Sequence, residues 1–239
     1  MAIRSDGSLW GWGANWTGEL GIENVGRVGG DWISSHTRVV PTWVMNDVVA
    51  VSTSHSNTMA IRADGSLWGW GGNWFGQVGT GTSEHQTSPT RIMDNVTAVS
   101  AGGLHTMAIR SDGSLWGWGA YRLHLGEEEY THYHENRYYP VRIMDNVLAV
   151  SAAGGSTTVA IRPDGSVVEW GLVWGDEPLD FRVLATRSFS DIIALSAGNG
   201  HAMVIKSDGS LWGWGGNWNG QISYPPGTYY HAPVQIRHR

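Results

Sequence analysis

One phrase of about thirteen residues recurs five times, and it constrains the fold more than any other feature of the chain. It reads MAIRSDGSLWGWG in its first and third copies, and the five copies begin at Met1, Met59, Met107, Val159 and Met203. Its aspartate returns about every 50 residues, a period typical of four-stranded propeller blades and too long for short helical repeats. The sequence therefore predicts a tandem-repeat protein.

Each copy of the phrase predicts a β-hairpin, because Asp-Gly is a favoured two-residue turn between antiparallel strands. In the second copy, residues 60–62 lead into the turn and residues 66–70 lead out of it. A strand precedes every hairpin after the first, V-x-A-V-S in the second, third and fourth repeats and I-I-A-L-S in the fifth, and a proline-marked strand such as residues 89–92 follows. The sequence thus predicts an all-β fold, a β-propeller of about five four-stranded blades.

The repeats divide residues 1–239 into consecutive blades of one repeat domain. Their approximate bounds are 1–47, 48–95, 96–146, 147–191 and 192–239. The first repeat lacks the V-x-A-V-S strand, which leaves three readings open. In the first reading, five blades close into a ring with one strand missing. In the second, the chain is a fragment of a seven-bladed ring, and in the third, a partner chain supplies the missing strand. An unpaired blade edge also predicts self-association.

The tryptophans in the outgoing strand of each hairpin alternate with glycines. A period of two places Trp68 and Trp70 on one face of the strand, and Gly69 and Gly71 on the other. We expect each tryptophan pair to pack over the glycine face of a neighbouring blade. These indoles are thereby assigned to the core and not to a chromophore or ligand cage.

Composition and charge exclude several classes of protein. The net charge is −6, the only lysine is Lys206, and no basic run is present, which argues against general nucleic-acid binding. The absence of cysteine excludes disulfides, thiolate metal sites and thiol nucleophiles. The sequence contains no apolar run of about 18 residues, so it predicts no membrane span. The N-terminus shows no signal-peptide pattern.

The aligned repeats resemble those of the regulator of chromosome condensation family, especially its bacterial versions. Residues 96–106, VTAVSAGGLHT, match the first half of the family pattern, and residues 70–79, WGGNWFGQVG, match the second half. The resemblance implies a β-propeller, commonly of seven blades, that presents loops to protein partners. Members include a nucleotide exchange factor for a nuclear small GTPase, a plant ultraviolet-B photoreceptor and bacterial inhibitors of β-lactamase. The photoreceptor's Gly-Trp-Arg-His-Thr run is absent.

Three further tryptophans are the main candidates for a binding site. Trp16, Trp74 and Trp218 follow an asparagine in Gly-rich loops, where the family pattern accepts any residue. Indoles at equivalent positions of three loops predict an aromatic platform for a protein or for sugar stacking. The candidate set is completed by residues of the loop before the hairpin: Leu104, His105 and His201.

The expected function is therefore a non-enzymatic binding module that presents blade loops to a protein partner. A carbohydrate-binding module that uses the loop tryptophans is the alternative. A third reading, by family resemblance, is an inhibitor of an enzyme such as a β-lactamase. No nucleophile elbow, phosphate-binding loop or zinc-protease motif is present to favour an enzyme.

An insertion in the third repeat, residues 121–139, is rich in histidine and glutamate. His132, His134 and Glu135 are weak candidates for metal ligands, because imidazole and carboxylate groups suit Zn²⁺ or a similar ion. Their spacing matches no recognised motif. We therefore expect a solvated loop here, and no resident metal or cofactor.

Overall fold

A computed structural model describes residues 1–22, 27–28, 31–32, 36–120, 136–154, 157–172 and 181–236. The regular structure of these residues is entirely β, so none of them forms a helix that could cross a membrane. The strands are β1 (Ala2–Ile3), β2 (Leu9–Ala14), β3 (Arg27–Val28), β4 (Asp31–Trp32), β5 (Thr37–Met45), β6 (Val48–Thr53), β7 (Asn57–Arg62), β8 (Leu67–Gly71), β9 (Gln86–Met93), β10 (Val96–Ala101), β11 (His105–Arg110), β12 (Leu115–Gly119), β13 (Arg137–Met144), β14 (Ala149–Ala152), β15 (Thr158–Ile161), β16 (Ser166–Leu172), β17 (Phe181–Ser188), β18 (Ile192–Gly198), β19 (His201–Lys206), β20 (Leu211–Asn217) and β21 (Thr228–Ile236).

The strands form five antiparallel blades, and in blades 2 to 5 the strands that are neighbours in sequence pair with each other. Blade 1 has three strands, β1, β2 and β5, and a small ribbon of β3 and β4 accompanies it. Blades 2 to 5 have four strands each: β6–β9, β10–β13, β14–β17 and β18–β21. The predicted all-β architecture of about five blades is confirmed, and the strand missing from the first repeat is missing from blade 1.

Successive blades pack face to face through one hydrophobic cluster at each interface. At the first interface, Leu9 of blade 1 meets Val48, Ala60 and Trp70 of blade 2. The innermost strands β6, β10, β14 and β18 lie side by side along this stack. Among the described strands, blades 1 and 5 make no extensive contact with each other. The described blades therefore form an arc.

A serine that ends the V-x-A-V-S motif ties neighbouring inner strands together. Its hydroxyl accepts a backbone N–H from the next blade at 2.9 Å in each case: Ser52 from Ala101, Ser100 from Ala152, and Ser151 from Ala197. Such a bond satisfies a backbone donor that would otherwise be buried between sheets. The repeated serine is thus a link between blades.

The Asp-Gly-Ser-x-Trp segment of each hairpin forms a local hydrogen-bond network. In blade 2, Asp64 accepts the backbone N–H and the hydroxyl of Ser66, at 2.9 and 2.5 Å. The same hydroxyl accepts the indole N–H of Trp68 at 2.9 Å. These hydrogen bonds hold the pKa of Asp64 below its usual value, and Gly65 takes the positive φ of +77° that the turn requires. The tight turn is therefore fixed by residues within the repeat.

The predicted packing of indoles over strand glycines needs a correction. Trp70 is buried against the preceding blade, as expected. However, it packs on a loop glycine, Gly21, and a Cβ there would lie 2.9 Å from the indole nitrogen. The space above strand residue Gly69 is filled from its own blade, since a Cβ there would lie 2.9 Å from the Met59 sulfur and 3.0 Å from Val78. Glycine makes room here for side chains of its own blade.

Candidate functional site

A buried asparagine folds each of three loops that follow the outgoing strand of a hairpin. In blade 2, the Asn73 amide donates to the carbonyl oxygens of Thr82 and Glu84 at 2.8 and 3.0 Å. Its side-chain oxygen accepts the N–H of Val78 at 2.8 Å. Asn15 and Asn217 bond their loops in the same way. We call residues 15–22, 73–80 and 217–223 the tryptophan loops.

The residue after each asparagine is exposed at the surface. Trp16 is 68% exposed, Trp74 is 51% exposed and Trp218 is 64% exposed, whereas the asparagines themselves are fully buried. The three indoles occupy the same position in blades 1, 2 and 5. The structure thus keeps the three predicted site tryptophans out of the core and holds the backbone that carries them in a defined conformation.

Two histidines contact these indoles, and nothing in the sequence analysis pointed to them. His36 stacks on Trp16 with the ring centroids 4.7 Å apart and the planes inclined by 13°. His85 meets Trp74 edge-on at 4.3 Å, and its Nδ1 accepts the N–H of Asn73 at 3.1 Å. The histidines lie at different distances along the chain from their tryptophans, so no fixed spacing could have revealed them.

The tryptophan loops of blades 1 and 2 also join their blade to the next one. The carbonyl of Glu19 accepts the hydroxyl of Thr58 at 2.8 Å and the indole N–H of Trp70 at 3.1 Å. Gln77 plays the same part for Thr106 and Trp118, at 2.7 and 3.0 Å. The loop backbone is therefore structural, whereas its exposed indole is not used by these bonds.

The other predicted binding residues have different surroundings. Leu104 lies in a loop with its side chain exposed, and its backbone carbonyl accepts the N–H of Ala120 at 2.8 Å. His105 is buried, and its Nε2 lies 2.7 Å from the hydroxyl of Thr158 in blade 4. Burial lowers the pKa of His105 to about 4. This position corrects its assignment to a binding surface, because the imidazole lies between two blades.

His201 is the counterpart of His105 in blade 5. It is half-buried, and its Nδ1 has no hydrogen-bond partner among the described residues. Its ring lies close to Gly198, where a Cβ would meet it at 2.1 Å. The two histidines therefore share a repeat position but not a hydrogen-bonding environment.

The three candidate metal ligands, His132, His134 and Glu135, lie outside the described residues. Within the part of the chain that the structure describes, no three histidine or acidic side chains are grouped to hold a metal ion. The hypothesis that His132, His134 and Glu135 are weak candidates for metal ligands therefore stays untested.

An open cavity of ≈ 480 Å³ lies where the inner strands of blades 2 to 5 approach their ends. Its lining consists mainly of small residues and contains one imidazole and no carboxylate: Thr53, Ser54, His55, Ala101, Ala152, Ala153, Gly154 and Ala197. General acid–base or nucleophilic catalysis needs a second group within hydrogen-bond reach of the first. In this lining the hydroxyl of Ser54 donates to the side-chain oxygen of Asn57 and not to His55.

The repeated blades and their loops define a β-propeller, and comparisons with family models identify the repeat. The model of the Regulator of chromosome condensation (RCC1) repeat matches residues 64–109, and a second model with the same description matches residues 192–221. Two segments of the chain therefore match RCC1 repeats, in agreement with the resemblance noted in the sequence.

Solved structures show the same fold at low sequence identity. Human WBSCR16 superposes with a TM-score of 0.79 at 19% identity, over 99% of this chain and 64% of that one. This chain thus spans slightly less than two thirds of WBSCR16. Yeast RCC1 (Prp20) bound to Kap60 gives a TM-score of 0.70 at 15% identity, over 99% of this chain and 72% of that one. A separate structure of Prp20p from Saccharomyces cerevisiae gives 0.71 at 15% identity, over 99% and 74%.

Proposed function

We propose that this protein is a non-enzymatic propeller module that binds a protein partner through its tryptophan loops. The observation that carries the proposal is the exposure of Trp16, Trp74 and Trp218 on backbone held by buried asparagines. Large aromatic residues dominate binding energy at protein interfaces. An anchor that is ordered before binding loses little conformational entropy when the complex forms.

The partner is expected to offer an apolar or aromatic surface. Phe75 follows Trp74 and is partly exposed, and Leu104 is exposed at a loop of blade 3. Aromatic and aliphatic side chains of this kind form the buried centre of protein interfaces. Yeast RCC1, a protein of the same fold, was solved bound to Kap60, which supports a protein as the type of partner.

Alanine substitution of the loop tryptophans tests the proposal. A photo-crosslinking amino acid at position 75 would first trap the partner in the source cells, and the purified partner is then titrated. We expect Trp74→Ala to weaken binding by about 2 kcal/mol or more, roughly 30-fold in affinity. The thermal unfolding midpoint should stay nearly unchanged, and Trp16→Ala and Trp218→Ala should behave alike.

Trp43→Ala is the matched control, because Trp43 is 50% exposed but lies on the outer strand β5 and bonds to Asn46. It should leave the affinity unchanged. A lowered unfolding midpoint with intact affinity in Trp74→Ala would make the loop indoles structural and contradict the proposal. Binding of the wild type to a glycan array, lost in Trp74→Ala, would replace the protein partner with a sugar.

A further inference from the structure

The tryptophan loops of blades 1 and 2 use different acceptors for the same backbone N–H. In blade 1, the N–H of Asn15 is accepted by the backbone carbonyl of His36 at 2.6 Å. In blade 2, the N–H of Asn73 is accepted by a side chain, at Nδ1 of His85 and 3.1 Å. A carbonyl oxygen accepts at any pH, whereas an imidazole nitrogen does so only without its proton. The fold of the second loop therefore includes an ionisable acceptor.

The bond from Asn73 fixes the protonation state of His85. A backbone N–H can only donate, so Nδ1 must carry a free lone pair, and the proton of the neutral ring must lie on Nε2. An imidazolium carries a proton on both ring nitrogens and offers no acceptor. Protonation of His85 would place two donors against each other at 3.1 Å. The ring must then leave its position beside Asn73.

The same ring supports the exposed indole of Trp74. The two ring centroids are 4.3 Å apart and the planes are inclined by 74°. Glu84 precedes His85, and its carbonyl accepts the side-chain amide of Asn73 at 3.0 Å. These two neighbouring residues close the loop on Asn73, and the second of them also contacts the indole. Departure of the imidazole therefore removes a hydrogen bond of the loop and the lateral contact of Trp74 together.

The corresponding contact in blade 1 responds in the opposite sense. The ring of His36 stacks on Trp16 with the centroids 4.7 Å apart and the planes inclined by 13°. This ring takes no part in the bond from Asn15, which uses the backbone carbonyl. A cation over an indole face is attracted by the π-electrons of the indole. Protonation of His36 therefore strengthens the stacking and keeps Trp16 in place.

We infer that His85 is a proton-sensitive latch on the loop that carries Trp74. The latch consists of the Asn73 hydrogen bond and the ring contact with the indole. It is closed while the imidazole is neutral and opens when the imidazole is protonated, whereas the loop of blade 1 stays closed in both states. Imidazole is the side chain whose charge changes between pH 5 and 8, which makes mild acid the signal. The consequence for partner binding rests on the proposed function, but the movement itself does not.

Several charged or ionisable groups lie on the segments packed around His85. Among the described residues they are Glu84 before it, Glu19 in the tryptophan loop of blade 1, His55 in the loop before β7 and Arg137 at the start of β13. Their charges influence the pH at which the ring takes up its proton. The loss of the acceptor follows from protonation itself, so these groups do not change its direction.

Residue-resolved hydrogen exchange between pH 7.5 and pH 5 tests the latch without a partner. The chemical shifts of the His85 ring protons report when the imidazole becomes charged. Across that change, the protection factor of the Asn73 amide should fall about tenfold, the scale of one lost hydrogen bond. The Asn15 amide is the internal reference and should keep its protection, because a backbone carbonyl does not titrate.

Two substitutions of His85 separate the functions of its ring. His85→Gln offers a side-chain oxygen that does not titrate, so Asn73 should stay protected at both pH values. His85→Phe keeps an aromatic edge for Trp74 but has no acceptor, so Asn73 should lack this protection at both. His36→Gln is the matched control in blade 1 and should leave the pH response of Asn73 as in the wild type. Both histidines are exposed, so these variants should fold.

Three results would overturn the inference. The protection of Asn73 stays constant while the His85 ring titrates, the ring stays neutral down to pH 5, or His85→Gln keeps the pH response.

A titration with the crosslinked partner tests the consequence for binding separately. From pH 7.5 to pH 5, the wild type should lose about tenfold in affinity relative to His85→Gln. Hydrogen exchange that shows the latch opening, together with equal affinities of the two proteins at both pH values, would support the latch. It would count against Trp74 as part of the binding surface and hence against the proposed function.

Discussion

The buried imidazole of His105 shows how strongly one repeat position depends on its surroundings. Asn57 occupies the position in blade 2 and bonds the hydroxyl of Ser54 at 2.5 Å, within its own loop. His105 instead reaches Thr158 in the next blade. An imidazole that is buried without a charged partner is favoured in its neutral form, which explains the depressed pKa.

The low pKa of His105 predicts a loss of stability in mild acid. The unfolded chain takes up a proton below about pH 6.5, whereas the folded protein does so only near pH 4, so stability is lost as the pH falls through this window. At pH 5 the loss attributable to His105 is about 2 kcal/mol. His105→Gln keeps a polar group near Thr158 and does not titrate.

Urea unfolding of the wild type and His105→Gln at pH 7.5 and pH 5 measures this effect. The wild type should lose about 2 kcal/mol more than the variant between the two pH values. Other titrating groups cancel in the comparison. Equal losses in both proteins would show that His105 does not titrate between the folded and unfolded states.

At the scale of the element, the fourth hairpin departs from the other four. Val168 stands where blades 1, 2, 3 and 5 have the first tryptophan of the outgoing strand. The hydroxyl of Ser166, which would accept that indole N–H, is buried with no hydrogen-bond partner among the described residues. The same serine therefore has two different energetic roles in two blades.

Serine-to-alanine substitutions in blades 2 and 4 should separate these roles. Ser66→Ala removes a hydroxyl that donates to Asp64 and accepts from Trp68, and we expect a destabilisation of about 1–2 kcal/mol. Ser166→Ala removes an unsatisfied buried hydroxyl, and we expect a change near zero or a slight stabilisation. Equilibrium unfolding in urea measures both. Equal costs at the two sites would contradict the network.

At the scale of the whole molecule, the interfaces are similar in packing but not in polar chemistry. A loop carbonyl accepts the buried indole N–H at the first two interfaces. Between blades 4 and 5, the carboxylate of Glu169 accepts the N–H of Trp214 at 2.8 Å. The guanidinium of Arg187 lies 3.8 Å from the same carboxylate and 5.4 Å from the Trp214 ring. Glu169 occupies the strand position that is glycine in the other hairpins.

The buried carboxylate should make this interface respond to pH in the opposite sense to His105. Burial raises the pKa of Glu169 above its usual value. The folded protein therefore binds this proton more readily than the unfolded chain, and stability attributable to Glu169 falls as the pH rises through the raised pKa. Glu169→Gln should abolish that slope while its side-chain oxygen still accepts the Trp214 N–H.

The difference in unfolding midpoint between wild type and Glu169→Gln, measured from pH 4.5 to 7.5, checks this expectation. The wild type should weaken relative to the variant as the pH rises. Glu169→Ala is the control, because it leaves the Trp214 N–H without its acceptor and should be less stable than Glu169→Gln at every pH. A constant difference between wild type and Glu169→Gln would show that Glu169 does not change its protonation on unfolding.

The blade count, the missing strand of blade 1 and the exposed loop tryptophans could be predicted from the sequence. The Asp-Gly turns fix the hairpins, the alternation along β8 assigns its two faces, and the asparagine before Trp74 folds its own loop. All three depend on residues within about a dozen positions of each other. Local sequence is sufficient in such cases because the interacting groups are brought together by the turn itself.

The roles of His105, Glu169 and Trp12 were decided only by the tertiary structure. Each depends on the blade packed against it, whose contacting residues lie about 50 positions away in the chain. Thr158 makes His105 an interface residue, and Trp214 gives Glu169 a hydrogen-bond donor. Trp12 shares its repeat position with four buried tryptophans and is exposed because no described blade covers it. Burial is set by the neighbouring face, so identical repeat positions acquire different environments.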